Sequence, residues 1–112
     1  MLKQLTEQYI HAFNKKDLPA IGLMLVPEFS LEDPVVKRVE GRVASLEAVA
    51  KIFEGCRSLV FAAKSIYVDG NTSLIEFSLD LDSTRIDGVD VIVWDGALMK
   101  SMRAYLNFPR GE

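Results

Sequence analysis

Val89-Asp90-Val91-Ile92-Val93-Trp94, followed at once by Asp95-Gly96, is the stretch on which the fold turns. Apart from Asp90 it is apolar and mostly β-branched, which suits a strand covered on both faces. Asp-Gly is a strong hairpin signal, because both central positions of a type I′ turn need positive φ. Val89–Trp94 therefore pairs back on Ala97–Phe108 as an antiparallel ribbon. Asp90 has no wet face in such a strand. An isolated buried charge is very costly, so its carboxyl is expected to hold its proton and donate a hydrogen bond. The alternative is that Asp90 falls at the strand start and meets solvent or a basic side chain.

Working outward, Leu59 to Val68 is another strand, closed by the turn Asp69-Gly70-Asn71. Ile75, Phe77, Leu79 and Leu81 alternate with Glu76, Ser78, Asp80 and Asp82, so one face is buried and one wet. Asp82 to Asp87 reads as a polar turn. Nearer the N-terminus the period changes. Leu2, Leu5, Tyr9, Ala12 and Phe13 are spaced for one face of a helix over Leu2–Lys16. Asp17 caps a second helix with Pro19 in its first turn, predicted to run through Ile21, Met24 and Leu25 and to stop at Pro27. Phe29, Leu31 and Asp33 alternate with Ser30 and Glu32 as a strand, which Pro34 ends or bulges. Val35 to Ala44 reads as an irregular connection with room for a short strand. Ser45 caps a third helix carrying Leu46, Val49, Ile52 and Phe53, and Gly55 marks its end. Pro109 to Glu112 is a short tail. The order predicts an α+β fold in which three N-terminal helices pack on a strongly curved, mainly antiparallel sheet and enclose a conical pocket.

Composition narrows the function. The chain has 112 residues, 49% of them hydrophobic, which fits one domain over residues 1–112 with a core of its own. A net charge of −3 argues against a nucleic-acid surface, which needs a basic stripe. Lys37, Arg38 and Arg42, interrupted by Glu40, read as a solvated loop. The longest apolar runs, such as Ile21 to Val26, are far too short to span a bilayer. The N-terminus lacks an apolar signal region, so a cytoplasmic protein is expected. Cys56 is the only cysteine, read as a small buried or semi-buried thiol and not a nucleophile. His11 lies across the helix from Tyr9 and is expected to be exposed. No spacing of His, Cys and carboxylates suggests a metal site, and no phosphate loop or nucleophile triad is visible, so neither metal nor cofactor is expected.

Tyr9 and Asp33 join Asp90 as candidates. Tyr9 belongs to the buried stripe of the first helix, where its ring packs and its hydroxyl needs a partner. A core tyrosine bonded to a backbone carbonyl would satisfy the same pattern. Asp33 shares a strand face with Phe29 and Leu31, yet an Asp before Pro also starts turns. A carboxylate at the mouth of an apolar pocket is a plausible general base. Three such groups converging on one cavity would point to proton-transfer chemistry.

These residues resemble a known family. Glu7-Gln8-Tyr9-Ile10-His11-Ala12-Phe13-Asn14 with Asp17-Leu18 is similar to the first helix and cap of ketosteroid isomerases. Leu31-Glu32-Asp33-Pro34-Val35 resembles the strand that holds their base. Gly88-Val89-Asp90-Val91, with the hairpin and Ser101-Met102-Arg103-Ala104, resembles the strand pair carrying their second acid. The wider group is the nuclear transport factor 2-like superfamily, with its SnoaL-like polyketide-cyclase branch. The resemblance covers nearly the whole chain and implies a cone-shaped α+β barrel. It implies Asp33 as the base beside a carbonyl, with Tyr9 and a protonated Asp90 as hydrogen-bond donors to the enolate oxygen. Phe53 stands on the third helix where the isomerases often carry a tyrosine.

The expected ligand is a small apolar compound bearing a carbonyl. Phe13, Leu31, Phe53, Phe61, Phe77, Ile92, Trp94, Met102 and Leu106 are expected to line its pocket. A polyketide-cyclase-like enzyme and a non-catalytic ligand-binding or dimerisation module are the alternatives on the same fold. An epoxide hydrolase of this fold needs an Asp-Arg-Asp relay, whereas Arg103 is read as facing outward. Val89, Val91, Val93, Met99 and Tyr105 are assigned to an outer sheet face that would pair two copies as a homodimer.

Overall fold

A computed structural model describes residues 1–108, so the expected tail from Pro109 to Glu112 lies outside the described residues. Helix α1 spans Leu2–Asn14 and α2 spans Leu18–Leu23. Strands β1 (Leu25–Asp33) and β2 (Lys37–Glu40) follow, then α3 (Arg42–Glu54). Four strands complete the chain: β3 (Leu59–Asp69), β4 (Thr72–Leu81), β5 (Thr84–Asp95) and β6 (Leu98–Asn107). They form one sheet in the order β2-β1-β6-β5-β4-β3. Every neighbouring pair is antiparallel except β1 with β6, which is parallel. The fold is α+β with helices packed on a curved six-stranded sheet, as expected. Among the described residues no helix is long and apolar enough to cross a membrane.

The helix stripe and the strand alternation meet in one core. Tyr9, Ala12 and Phe13 of α1 are buried against Phe61 of β3 and Phe77 of β4. Ring centroids lie 5.0 Å apart for Phe13 and Phe61 and 4.9 Å for Phe61 and Phe77. Each such aromatic pair adds about 0.5–1.5 kcal/mol beyond its buried area. Asn14 fixes α1 to the edge of the sheet. Its side-chain amide donates to the Phe61 carbonyl at 2.8 Å, and its carbonyl accepts the Phe61 N–H at 2.7 Å. β3 is an outermost strand, so Asn14 supplies the bonds a neighbouring strand would have made there. Deeper, the Trp94 indole N–H donates to Ser73 Oγ at 2.9 Å. Thr6 Oγ1 lies 2.9 Å from Ser73 Oγ and 2.7 Å from the Leu2 carbonyl. These buried polar groups satisfy one another and tie the first turn of α1 to β4 and β5.

Several boundaries differ from the sequence reading. α2 ends at Leu23, and Leu25 and Val26 already belong to β1. Pro27 is tolerated in that strand because the β1–β6 pairing shifts register between Leu25 and Ser30, where a missing N–H costs no ladder bond. Gly41, at φ 97°, is the N-cap of α3, and Ser45 lies one turn inside the helix, buried. The polar turn after β4 shrinks to Asp82 and Ser83. Asp82 adopts φ 56° and its Oδ1 accepts the N–H groups of Arg57 and Ser58, so β5 starts at Thr84 and buries Ile86. Ser78, expected on the wet face, is buried as well.

The outer face also needs one correction. Met99 is fully buried rather than exposed beside Val89, Val91 and Val93. The β5–β6 pairing runs Val93 to Ser101 and then Trp94 to Met99, which leaves Lys100 as an extra residue. That bulge reverses the alternation and turns Met99 into the core. Tyr105 stays on the outside, 58% exposed.

Candidate active site

The three acid-capable groups reach one cavity from three separate elements. Tyr9 comes from the middle of α1, Asp33 from the end of β1 and Asp90 from the middle of β5. They line a cavity of about 80 Å³ with Phe13, Leu31, Phe61, Phe77, Met102 and Leu106. Two larger surface grooves, of about 680 and 410 Å³, include none of the three. Usual ligand cavities are about 300–1,000 Å³, so this one admits only a small group unless its wall moves.

Not every expected wall residue is there. Phe53 packs edge-on against Phe13, with centroids 5.0 Å apart, and backs the wall instead of forming it. Ile92 and Trp94 share the inward face of β5 with Asp90, but they lie further along the strand, where Trp94 meets Ser73 beneath the first turn of α1. Both are therefore core, not lining. Val49, Ile52, Leu79 and Ala104 complete the wall and were not singled out from the sequence. Their signal was present: Val49 and Ile52 belong to the α3 stripe, Leu79 shares a strand face with Phe77, and Ala104 shares one with Met102 and Leu106.

The polar heads have different surroundings. Asp33 is half-buried, and its Oδ1 accepts the N–H groups of Val35 at 2.8 Å and Val36 at 2.7 Å. Asp33 therefore starts the turn and borders the cavity at once. The turn clamps one carboxylate oxygen, and the residue still lines the cavity wall. It also borders an outer groove with Glu32, Pro34, Arg103, Ala104 and Tyr105, which puts it at the mouth.

Asp90 is buried, and its carboxyl is pushed up to about 7, first by loss of water and then by the charge of Asp33. Tyr9 is held well above its ordinary value, first by burial and then by the charge on Asp90. Tyr9 is thus a permanent hydroxyl donor near neutrality, and Asp90 is a carboxyl poised between its neutral and charged forms. Gly88, two residues before Asp90 on β5, lets the Tyr105 carbonyl and the Phe77 ring pack close to the strand. A Cβ there would meet the Tyr105 carbonyl at 2.6 Å and the tip of Phe77 at 2.9 Å. His11 and Arg103 are exposed and outside this cavity, as expected. Among the described residues no group of three His, Cys, Asp or Glu could hold a metal ion.

The arrangement can accept a proton at Asp33 and stabilise a negative oxygen at Tyr9 and neutral Asp90. Comparison with known proteins places the fold. An NTF2-like protein of Cytophaga hutchinsonii superposes with a TM-score of 0.82 at 17% identity, covering 96% of this chain and 90% of that one. A Catenulispora acidiphila protein with a ketosteroid isomerase-like fold gives 0.78 at 13%, covering 90% and 83%. An LEH-like epoxide hydrolase of M. tuberculosis gives 0.76 at 18%, covering 93% and 80%. No curated protein matches the sequence. The family model of the SnoaL-like domain matches residues 6–102, and the chain accordingly belongs to that family, within the NTF2-like fold.

Proposed function

We propose that this protein transfers a proton next to the carbonyl of a small apolar compound, in the manner of a ketosteroid isomerase. Asp33 takes a proton from the carbon beside the carbonyl, and the electron pair of that C–H bond moves onto the oxygen as an enolate. Tyr9 and neutral Asp90 donate hydrogen bonds to that oxygen. The proton then returns from Asp33 to a more distant carbon, the double bond moves, and the carboxylate is regenerated. Charge reaches the oxygen only as the proton leaves, so preplaced donors favour the transition state over the bound substrate. The observation that carries this reading is one apolar cavity lined by Tyr9, Asp33 and Asp90, with Asp90 pushed up to about 7.

The cavity of about 80 Å³ favours a compact substrate over a steroid or a polyketide. The outward position of Arg103 speaks against an Asp-Arg-Asp relay. A second reading, a ligand-binding module without chemistry, also draws on the small cavity. Conversion of 3-cyclohexen-1-one to its conjugated isomer separates the two. A general base contributes about 10²–10⁴-fold, so Asp33→Asn should lower the rate by that order. The amide oxygen of the substituted side chain can still accept both turn N–H groups, so the variant should fold. Wild type converting the ketone no faster than Asp33→Asn sinks the enzyme reading.

A further inference from the structure

Behind Tyr9 lies a second, narrow void of about 10 Å³, which shares the walls Tyr9, Leu31, Val49 and Met102 with the main cavity. Ser45 lines it, together with Ile21, Leu25, Phe29 and Met99. Ser45 is 2% exposed, and among the described residues its Oγ is the one buried side-chain polar atom without a hydrogen-bond partner. A serine inside a helix usually bonds back to the carbonyl four residues earlier. Here the Gly41 carbonyl accepts the Ser45 backbone N–H at 3.0 Å, and the hydroxyl takes no share of it. A buried hydroxyl left in this way weakens the fold, and alanine would also suit the helix better. The walls other than Ser45 and Tyr9 are apolar, so the recess favours a polar atom carried on an apolar skeleton. Met102, which walls both spaces, is unbranched and flexible, so its movement can join them.

We infer that Ser45 is a rear anchor of this site. It hydrogen-bonds a second oxygen, hydroxyl or carbonyl, on a ligand whose first oxygen lies between Tyr9 and Asp90. The inference rests on the proton-transfer reading for the front end of that ligand. It narrows the substrate class to small apolar compounds with an oxygen at each end.

Phenol, 4-methylphenol, 4-hydroxyphenol and 4-(hydroxymethyl)phenol test this, because a phenol oxygen imitates the enolate oxygen. Affinities are read by calorimetric titration of wild type, Ser45→Ala and Tyr9→Phe. In wild type, a para-hydroxyl or hydroxymethyl probe should bind roughly fivefold to tenfold more tightly than 4-methylphenol. Ser45→Ala should erase that advantage, leave phenol unchanged, and melt no lower than wild type. An advantage that survives in Ser45→Ala, or is absent in wild type while phenol binds, overturns the anchor alone. Phenol that does not bind wild type, or binds Tyr9→Phe equally well, removes the front site and the anchor with it.

Discussion

Asp33 and Asp90 border one cavity, and the charge on Asp33 adds to burial in pushing the Asp90 carboxyl up to about 7. Asp33 thus helps keep Asp90 neutral, because two nearby carboxyl groups resist ionising together. Asp33→Asn should lower the Asp90 titration midpoint and still leave it above the ordinary 3.8, since burial is the larger cause. Carboxyl carbon NMR of labelled aspartate reads this directly. An unmoved midpoint would show that the two groups do not interact.

The contribution of Asp90 to stability should fall as pH rises. Between the ordinary 3.8 and about 7, folded Asp90 keeps a proton that the unfolded chain gives up. The stabilising contribution is full below pH 4 and is lost as pH rises through 7. The gap is worth up to about 4 kcal/mol by linkage. Urea midpoints of wild type minus those of Asp90→Asn isolate it, and a difference that does not change from pH 4 to 8 contradicts the assignment. Isomerisation of 3-cyclohexen-1-one should decline above pH 7 for the same reason, as one oxyanion donor becomes charged.

Gly88→Ala should destabilise by about 1–3 kcal/mol, the usual range for overpacking. Its Cβ would stand 2.6 Å from the Tyr105 backbone carbonyl, which cannot yield as a side-chain tip can. The Phe77 ring, at 2.9 Å, would be driven toward the cavity. Chemical denaturation measures the first effect and phenol affinity the second.

Asn14→Ala removes both partners of the Phe61 backbone at the sheet edge. Two lost hydrogen bonds predict a cost of about 1–3 kcal/mol. The freed edge of β3 should also promote association, seen as light scattering that rises on heating. A variant as stable and as monodisperse as wild type would show that water replaces Asn14 without loss.

The outer sheet face carries Val89, Val91 and Val93, each half-buried, beside the exposed Tyr105 and Tyr67. In the β4–β5–β6 register, Val91 sits centrally between Leu74 and Arg103. We expect two copies to pair through this face. Val91→Glu should then halve the mass seen by light scattering while leaving the circular dichroism unchanged. Wild type that stays monomeric at high concentration would end this expectation.

Much of this protein is local information. A helical stripe places Tyr9 on the buried side of α1, and strand alternation puts Asp33 with Leu31 and Asp90 with Ile92. The hairpins at Asp69-Gly70-Asn71 and Asp95-Gly96 were legible from neighbouring residues, but the two-residue loops are Gly70-Asn71 and Gly96-Ala97, and only the glycine of each has positive φ, so neither is the type I′ turn. Alternation, however, fixes a side chain's face and not its distance along that face. Ile92 and Trp94 therefore read as lining when they are core. A bulge exists only in the bonds between strands, so only the paired sheet could turn Met99 inward and admit Pro27 to β1. The parallel contact of β1 with β6, the recess at Ser45 and the raised Asp90 carboxyl likewise depend on which distant segments exclude water from one another. Sequence order alone does not specify that.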